Sequence, residues 1–315
     1  MRPQTADDRS QTREEDEPAF NPPPSVVRRP SSLAIVGLGL MGGSLALALK
    51  EKKTAQKIIG ITRKRATLDV ALQRGAIDVA SAELNAARDA DIIVLAAPVR
   101  AILSHIHNLK EIARDGALIL DMGSTKREIV SAMNQLPERL RAVGGHPMCG
   151  KESAGFDAAD ATLYQDKIFV LTPTARTNEC ALNTSRALAH TIGSRVIELD
   201  AERHDEIVAA VSHLPYIVAS NLARTADDFA NGDEMVWEIA SNGFRDTTRL
   251  AASDAQMMLD ILLTNRENIA DLMRAYARRF GELADALYAA DEKTLRAILE
   301  RAAQSRQGFN RKSKS

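Results

Sequence analysis

The chain is poor in cysteine, in net charge and in long apolar runs. It has two cysteines, Cys149 and Cys180, among 315 residues. That is too few for a disulfide framework or a zinc ligand set, and it suits a reducing cytoplasm. A net charge of −1 argues against nucleic acid or an anionic membrane as the main partner. No uninterrupted apolar run reaches the roughly 18 residues of a membrane span. There is no H-x-x-x-H pair and no carboxylate-rich set, so no metal is expected. The first 31 residues have almost no apolar side chains. They hold Asp7, Asp8, Glu14, Glu15, Asp16 and Glu17, then Pro22, Pro23 and Pro24. A secretory leader needs an apolar stretch, and organellar transit peptides are poor in acids. Residues 1–31 are therefore expected to form a disordered tail, and 306–315 a second, shorter one.

What is present is alternation. With 45% hydrophobic residues, the chain can build a substantial core. Strand-like apolar runs recur at 33–37, 57–62, 91–98, 117–124, 141–148, 167–174 and 194–200, mostly with helix-like segments between them. Such alternation predicts an α/β domain over 32–200 with a doubly wound, mostly parallel sheet. Past residue 200 strand signals nearly vanish. Segments 202–230, 233–242, 254–279 and 281–304 have helical spacing, so an all-helical domain is expected over 201–305.

The first strand runs into IVGLGLMGGS, which holds Gly37, Gly39 and Gly42 as G-x-G-x-x-G, with Leu40 and Met41 at the helix start. The first glycine makes a tight turn, the second lets a pyrophosphate approach the backbone, and the third lets helix and strand pack closely. The context predicts a Rossmann-like dinucleotide site. The second strand ends Thr62, Arg63, Lys64, Arg65. An NAD-selective site wants a carboxylate there for the ribose hydroxyls; these cations suit a 2′-phosphate, so NADP is favoured over NAD. Asp69 lies farther on, on the helix. Small residues at the next tip, around Ala97 and Pro98, would let the cofactor lie flat.

Ligands in such sheets bind beyond the carboxyl ends of the strands. Two further tips read DMGSTK, with Ser124, and GGHPMCGKE, with His146 and Glu152. A Ser124–His146 hydrogen bond would fix the imidazole, which could then accept a proton or hydrogen bond from a substrate hydroxyl as hydride leaves the same carbon. Gly144, Gly145 and Gly150 read as room for something close to His146. A loop-capping histidine and a Cys149 nucleophile are the competing readings. In the helical domain, Pro215 within SHLPY should kink the helix and could aim His213 at a cleft. SNGFRDTTRLA offers Arg245 and Arg249, one of which Asp246 can tie down, the other suited to a carboxylate. His204 and His213 are nine residues apart and read as opposite faces of one helix.

In order, GLGLMGGS, DMGSTK, GGHPMCGKESAG, SHLPY and GFRDTTRLA make the chain resemble the prephenate/arogenate dehydrogenases of tyrosine biosynthesis, over roughly residues 33–285. The resemblance implies a homodimer formed by the helical domain and the NAD(P)-dependent oxidative decarboxylation of prephenate or arogenate. It implies that His146 accepts the ring hydroxyl's hydrogen bond, Ser124 orients His146, and Arg249 holds a substrate carboxylate. It also implies that Glu152 and Asp246 shape and gate the pocket and that His213 belongs to the substrate site. The glycines around His146 would admit the ring stacked on the nicotinamide. Two departures stand out: Tyr216 replaces a second histidine where the substrate side chain is sensed, and Met258 replaces a tryptophan. The competing functions are a β-hydroxyacid dehydrogenase or imine reductase, which would want a lysine that 202–225 lacks, and a non-catalytic NADP-sensing dimer.

Overall fold

The computed structural model describes residues 30–151 and 153–312. Most of the expected N-terminal tail, and Glu152, lie outside the described residues. Eight strands form one sheet: β1 (Ser32–Val36), β2 (Lys57–Ile61), β3 (Val79–Ser81), β4 (Ile92–Leu95), β5 (Leu118–Asp121), β6 (Arg141–Pro147), β7 (Ile168–Pro173) and β8 (Arg195–Glu198). Their spatial order is β3-β2-β1-β4-β5-β6-β7-β8. All neighbours are parallel except β6 and β7, which run antiparallel. The order reverses between β1 and β4, and the crevice above that switch point is where such sheets take ligands.

The strands form because both faces are covered. Leu33 and Ile35 of β1 point into one apolar cluster and Ala34 and Val36 into another, the period-two alternation of a strand. Helices α1 (Leu40–Glu51), α2 (Arg65–Gln73) and α5 (Glu179–Thr191) close the first face; α3 (Val99–Ile112) and α4 (Arg127–Asn134) close the second. Ile102 and Ile106 of α3 and Ile129 and Met133 of α4 are fully buried there.

The helical part comprises α6 (Ala201–Val208), α7 (Leu214–Ala230), α8 (Met235–Ile239), α9 (Asn242–Thr248), α10 (Ala255–Thr264), α11 (Arg266–Tyr288) and α12 (Glu292–Lys312). Helix α6 starts at Asp200, whose carboxylate accepts the Arg203 amide hydrogen at 2.7 Å, an N-cap. A π turn, Ala209–His213, joins α6 to α7. Pro215 sits in the first turn of α7, so the expected kink takes the form of a bulge just before it. By length and composition alone, 201–230 could cross a membrane; in the fold it buries His204, Asp205 and His213. Helix α12 continues through Lys312, so 306–312 is helical where a tail was expected. Met258 and Ile261 of α10 belong to the second sheet cluster, and Tyr216 packs against it; the two domains share that core.

Candidate active site

Gly37 takes φ +98°, a conformation open mainly to glycine, and its amide donates to the Ile61 carbonyl at 2.8 Å. A β-carbon there would lie 2.3 Å from the Ala96 carbonyl oxygen, and one at Gly42 would lie 1.9 Å from that of Gly37. These two glycines serve internal packing. Gly39, at the N-cap of α1, has nothing within 4 Å of the position a β-carbon would take. The open space lies where a pyrophosphate would meet the helix N-terminus, so the residues fit a dinucleotide. Gly43 was not foreseen: a β-carbon would meet the Phe156 ring at 2.6 Å. Phe156 belongs to an irregular segment held over α1, where Tyr164 Oη donates to the Met41 carbonyl at 2.5 Å.

Thr62 follows β2 directly, and Arg63, Lys64 and Arg65 are exposed beside it. Asp69 faces solvent on α2. Ala97 is half-buried at the end of β4, and Pro98 caps α3. His105 of α3 was not singled out. Burial, and then the Arg63 charge, hold it below the usual histidine range.

His146 sits near the end of β6 with part of its surface open. Its Nδ1 is 2.9 Å from Nε2 of His204, and the two rings meet edge to face at 5.1 Å. The partner is therefore His204, not the expected Ser124; Ser124 is half-buried beyond β5. His204 Nδ1 lies 2.8 Å from Asp205 Oδ1. Asp205 also accepts the amide hydrogens of Lys126 at 2.7 Å and Arg127 at 3.0 Å, the first turn of α4. The nine-residue separation of His204 and His213 misled because a π turn rotates less per residue than an α-helix. Both rings are thereby buried, and Asn265 Nδ2 reaches both His213 Nδ1 (3.3 Å) and the Asp205 carbonyl (2.8 Å).

Lys126 was also missed, because a lysine at a helix start reads as solvated. It is fully buried, paired with Asp121 and donating to the Gly145 carbonyl at 2.6 Å. Asp121 in turn accepts the Gly145 and Gly123 amide hydrogens at 2.9 and 2.7 Å. This corrects the reading of the glycines. A β-carbon at Gly145 would strike the Asp121 carbonyl at 2.5 Å, and one at Gly144 would press on Thr172 at 3.1 Å and Lys126 at 3.4 Å. They admit neighbouring strands and a buried lysine; Gly150 borders open space.

Burial first, then the charges of His204, Lys126 and His213, push His146 well below the ordinary histidine range. At neutral pH it is an uncharged imidazole with one lone pair to offer. Burial also lowers His213, to about 4, and lowers Lys126 against the opposing pull of Asp121. Cys149 is pushed up to about 11 by burial, the opposite of what a nucleophilic thiol needs. Tyr216 is half-buried. Arg249 opens a 3-10 turn, Arg249–Ala252, that packs on α7; it and Asp246 are exposed. Asp246 faces Arg245 at 3.5 Å.

Models of known families match the chain in two consecutive pieces: the prephenate dehydrogenase nucleotide-binding domain over 45–198 and the prephenate dehydrogenase dimerization domain over 200–301. A prephenate dehydrogenase of Lactococcus lactis subsp. cremoris is 36% identical over 283 residues, 88% of this chain and 77% of that one. The solved Aquifex aeolicus prephenate dehydrogenase, in complex with hydroxyphenyl propionate and NAD+, superposes with a TM-score of 0.83 at 29% identity, covering 89% of this chain and 98% of that one. The arogenate dehydrogenase of Synechocystis superposes with a TM-score of 0.75 at 28% identity, covering 88% and 99%. With both domains matched in order, and with a dinucleotide cradle and an uncharged histidine each at a strand tip, the chain belongs to the prephenate dehydrogenase family.

Proposed function

We propose that this chain carries out the oxidative decarboxylation of prephenate to 4-hydroxyphenylpyruvate in tyrosine biosynthesis, with NADP as cofactor. The observation that carries the reading is His146: a neutral imidazole near a strand tip, with Nδ1 engaged by His204 and Nε2 left to meet a hydroxyl. Bound nicotinamide supplies the hydride acceptor. His146 Nε2 accepts the hydrogen bond of the ring hydroxyl and draws electron density toward that oxygen as the carbon loses hydride. The ring carboxylate leaves as carbon dioxide, its bonding pair enters the ring, and the hydrogen stays with the phenol oxygen. Aromatisation drives the step, so the protein mainly orients the substrate and offers one acceptor.

Arg249 is assigned to a substrate carboxylate, Ser124 to the neighbourhood of His146 and the nicotinamide, and His213 and Tyr216 to the substrate side chain. Asp246 and Glu152 are assigned to shaping the pocket. Gly39, Leu40 and Met41, on the turn that Gly37 and Gly42 shape, would hold the dinucleotide with Ala97 and Pro98. Thr62, Arg63, Lys64 and Arg65 would take the 2′-phosphate, since no carboxylate stands at that tip. NAD is the second reading, because the Aquifex relative was solved with NAD+. Arogenate is the second substrate, because Tyr216 stands where the side chain is sensed. The helical domain would pair two copies: Phe229, Ile239 and Leu287 are 80%, 73% and 68% exposed in the single chain. Two free thiols fit a cytoplasmic site of action.

The test is turnover with prephenate and arogenate, each against NAD and NADP, followed by reduced cofactor. Prephenate with NADP should be the fastest of the four. Arogenate alone would transfer Tyr216 to an amino-acid side chain, and faster turnover with NAD would end the 2′-phosphate assignment. His146→Asn should keep cofactor binding and lose about 10²–10⁴ in turnover. Cofactor binding without turnover in the wild type as well would favour the sensor.

A further inference from the structure

The proposed reaction uses His146 but leaves His204 and Asp205, 1% and 0% exposed, without a part. The order of donors and acceptors between them is informative. A carboxylate only accepts. Asp205 already takes two backbone amide hydrogens, from Lys126 and Arg127. Its contact with His204 Nδ1 at 2.8 Å therefore places the His204 hydrogen on Nδ1. A neutral imidazole has one such hydrogen, so His204 Nε2 is a lone pair. That lone pair faces His146 Nδ1 at 2.9 Å, a hydrogen bond only if His146 donates. The lone pair of His146 is then left on Nε2.

We propose that His204 and Asp205 are positioning residues, which hold His146 as the tautomer whose Nε2 lone pair meets the substrate hydroxyl. This rests on the assignment of His146 to that hydroxyl. Among the described residues, the charged and titratable groups around His146 are His204, with Asp205 behind it, from α6, His213 from the π turn, and Lys126, with its partner Asp121, from the end of β5 and the start of α4. The Lys126 ammonium opposes positive charge on His146. Asp205 supports it through His204 as the imidazole draws on the hydroxyl hydrogen. A proton added to His204 would reverse the middle bond. Nε2 of His204 would then donate, the His146 hydrogen would move to Nε2, and the acceptor would be lost. Turnover should therefore fall at acid pH.

The plainer role for Asp205 is to cap α4 and join two domains, with His204 as filler. The two differ in readouts that stability does not move. Imidazole nitrogen shifts of the ¹⁵N-histidine-labelled full chain, assigned with His146→Asn and His204→Phe, should show His146 and His204 both protonated on Nδ1. Asp205→Asn and His204→Phe should each lower kcat about ten- to a hundredfold with little change in KM. Asp205→Asn should also shift the acid limb of kcat/KM to lower pH, because a proton taken up by the His204–His146 pair loses its counter-charge. His204→Gln, whose amide oxygen can accept the Nδ1 hydrogen, should recover part of the rate. A wild type with the His146 hydrogen on Nε2 would overturn the proposal, as would an Asp205→Asn enzyme with unchanged kcat and acid limb. If the wild type turns over neither substrate, the functional reading fails, while the nitrogen shifts still decide the tautomer.

Discussion

Gly39 and Gly42 allow one substitution to separate binding from folding. A β-carbon at Gly42 would sit 1.9 Å from the Gly37 carbonyl oxygen and 3.0 Å from Ala96 Cβ. Neither neighbour is a flexible side-chain end, so strand and helix must part. Overpacking of this kind costs about 1–3 kcal/mol or more, and each kcal/mol lowers Tm by about 2–4 °C in a domain of this size. Gly42→Ala should thus melt several degrees lower even without cofactor. Gly39→Ala meets nothing within 4 Å, and its φ of −80° suits alanine. Its apo Tm should stay near wild type, but the methyl would occupy the space assigned to the pyrophosphate. A tenfold rise in Kd costs about 1.4 kcal/mol. At a cofactor concentration about 100 times the wild-type Kd, stabilisation by ligand falls from about 2.7 to about 1.4 kcal/mol. The cofactor-induced Tm shift should therefore shrink by about 3–5 °C. Thermal scans with and without NADP, and a fluorescence titration with NADPH, read both quantities. A Gly39→Ala protein that binds cofactor as tightly as wild type would refute the assignment of this opening to the pyrophosphate.

Other outcomes follow from the same geometry. Arg63→Glu should lower kcat/KM with NADP by about 10- to 100-fold, the loss of about 1.5–3 kcal/mol of charge-assisted hydrogen bonding. NAD should be affected less, and equal losses would remove Arg63 from cofactor choice. Lys126→Met strands the buried Asp121 carboxylate and should cost about 3–5 kcal/mol in urea unfolding. Adding Asp121→Asn should restore part of it; no restoration would show that the pair is not the source. His213 titrates at about 4 in the fold against 6.5 for an ordinary histidine, because burial opposes its charge. Its contribution is whole above pH 6.5 and is lost as the pH falls toward 4, with a slope of about 1.4 kcal/mol per pH unit, or about 3 kcal/mol in all. His213→Asn should flatten the stability–pH curve in that window; an unchanged slope would mean that His213 is not its source.

The sheet was legible because parallel strands covered on both faces read as short apolar runs. β4 (IIVL) and β5 (LILD) have every residue buried. β3 was missed: three half-buried residues, VAS, at an edge carry little pattern. The reversed direction of β7 was also hidden, since alternation of apolar residues says nothing of which way a strand runs. The glycine cradle was readable residue by residue, whereas Gly144 and Gly145 were noticed for the wrong reason. Their neighbours, Asp121, Lys126 and Thr172, come from other strands and loops. His204 was set aside by helical arithmetic that holds only without a π turn, and Pro215 was the one local hint of that turn.

Asp205 belongs to the helical half by sequence, yet it closes the first turn of a helix in the other half. His146 lies before the junction near residue 200 and His204 after it. A recombination crossover at that junction, though it would respect both family modules, would draw the proposed hydrogen-bond acceptor, His146, from one parent and its hydrogen-bonded neighbour, His204, from another. Chimeras joined there should fail as catalysts unless both parents supply matching residues at 146, 204 and 205. For descent and for engineering alike, the unit that can be exchanged intact is larger than either domain.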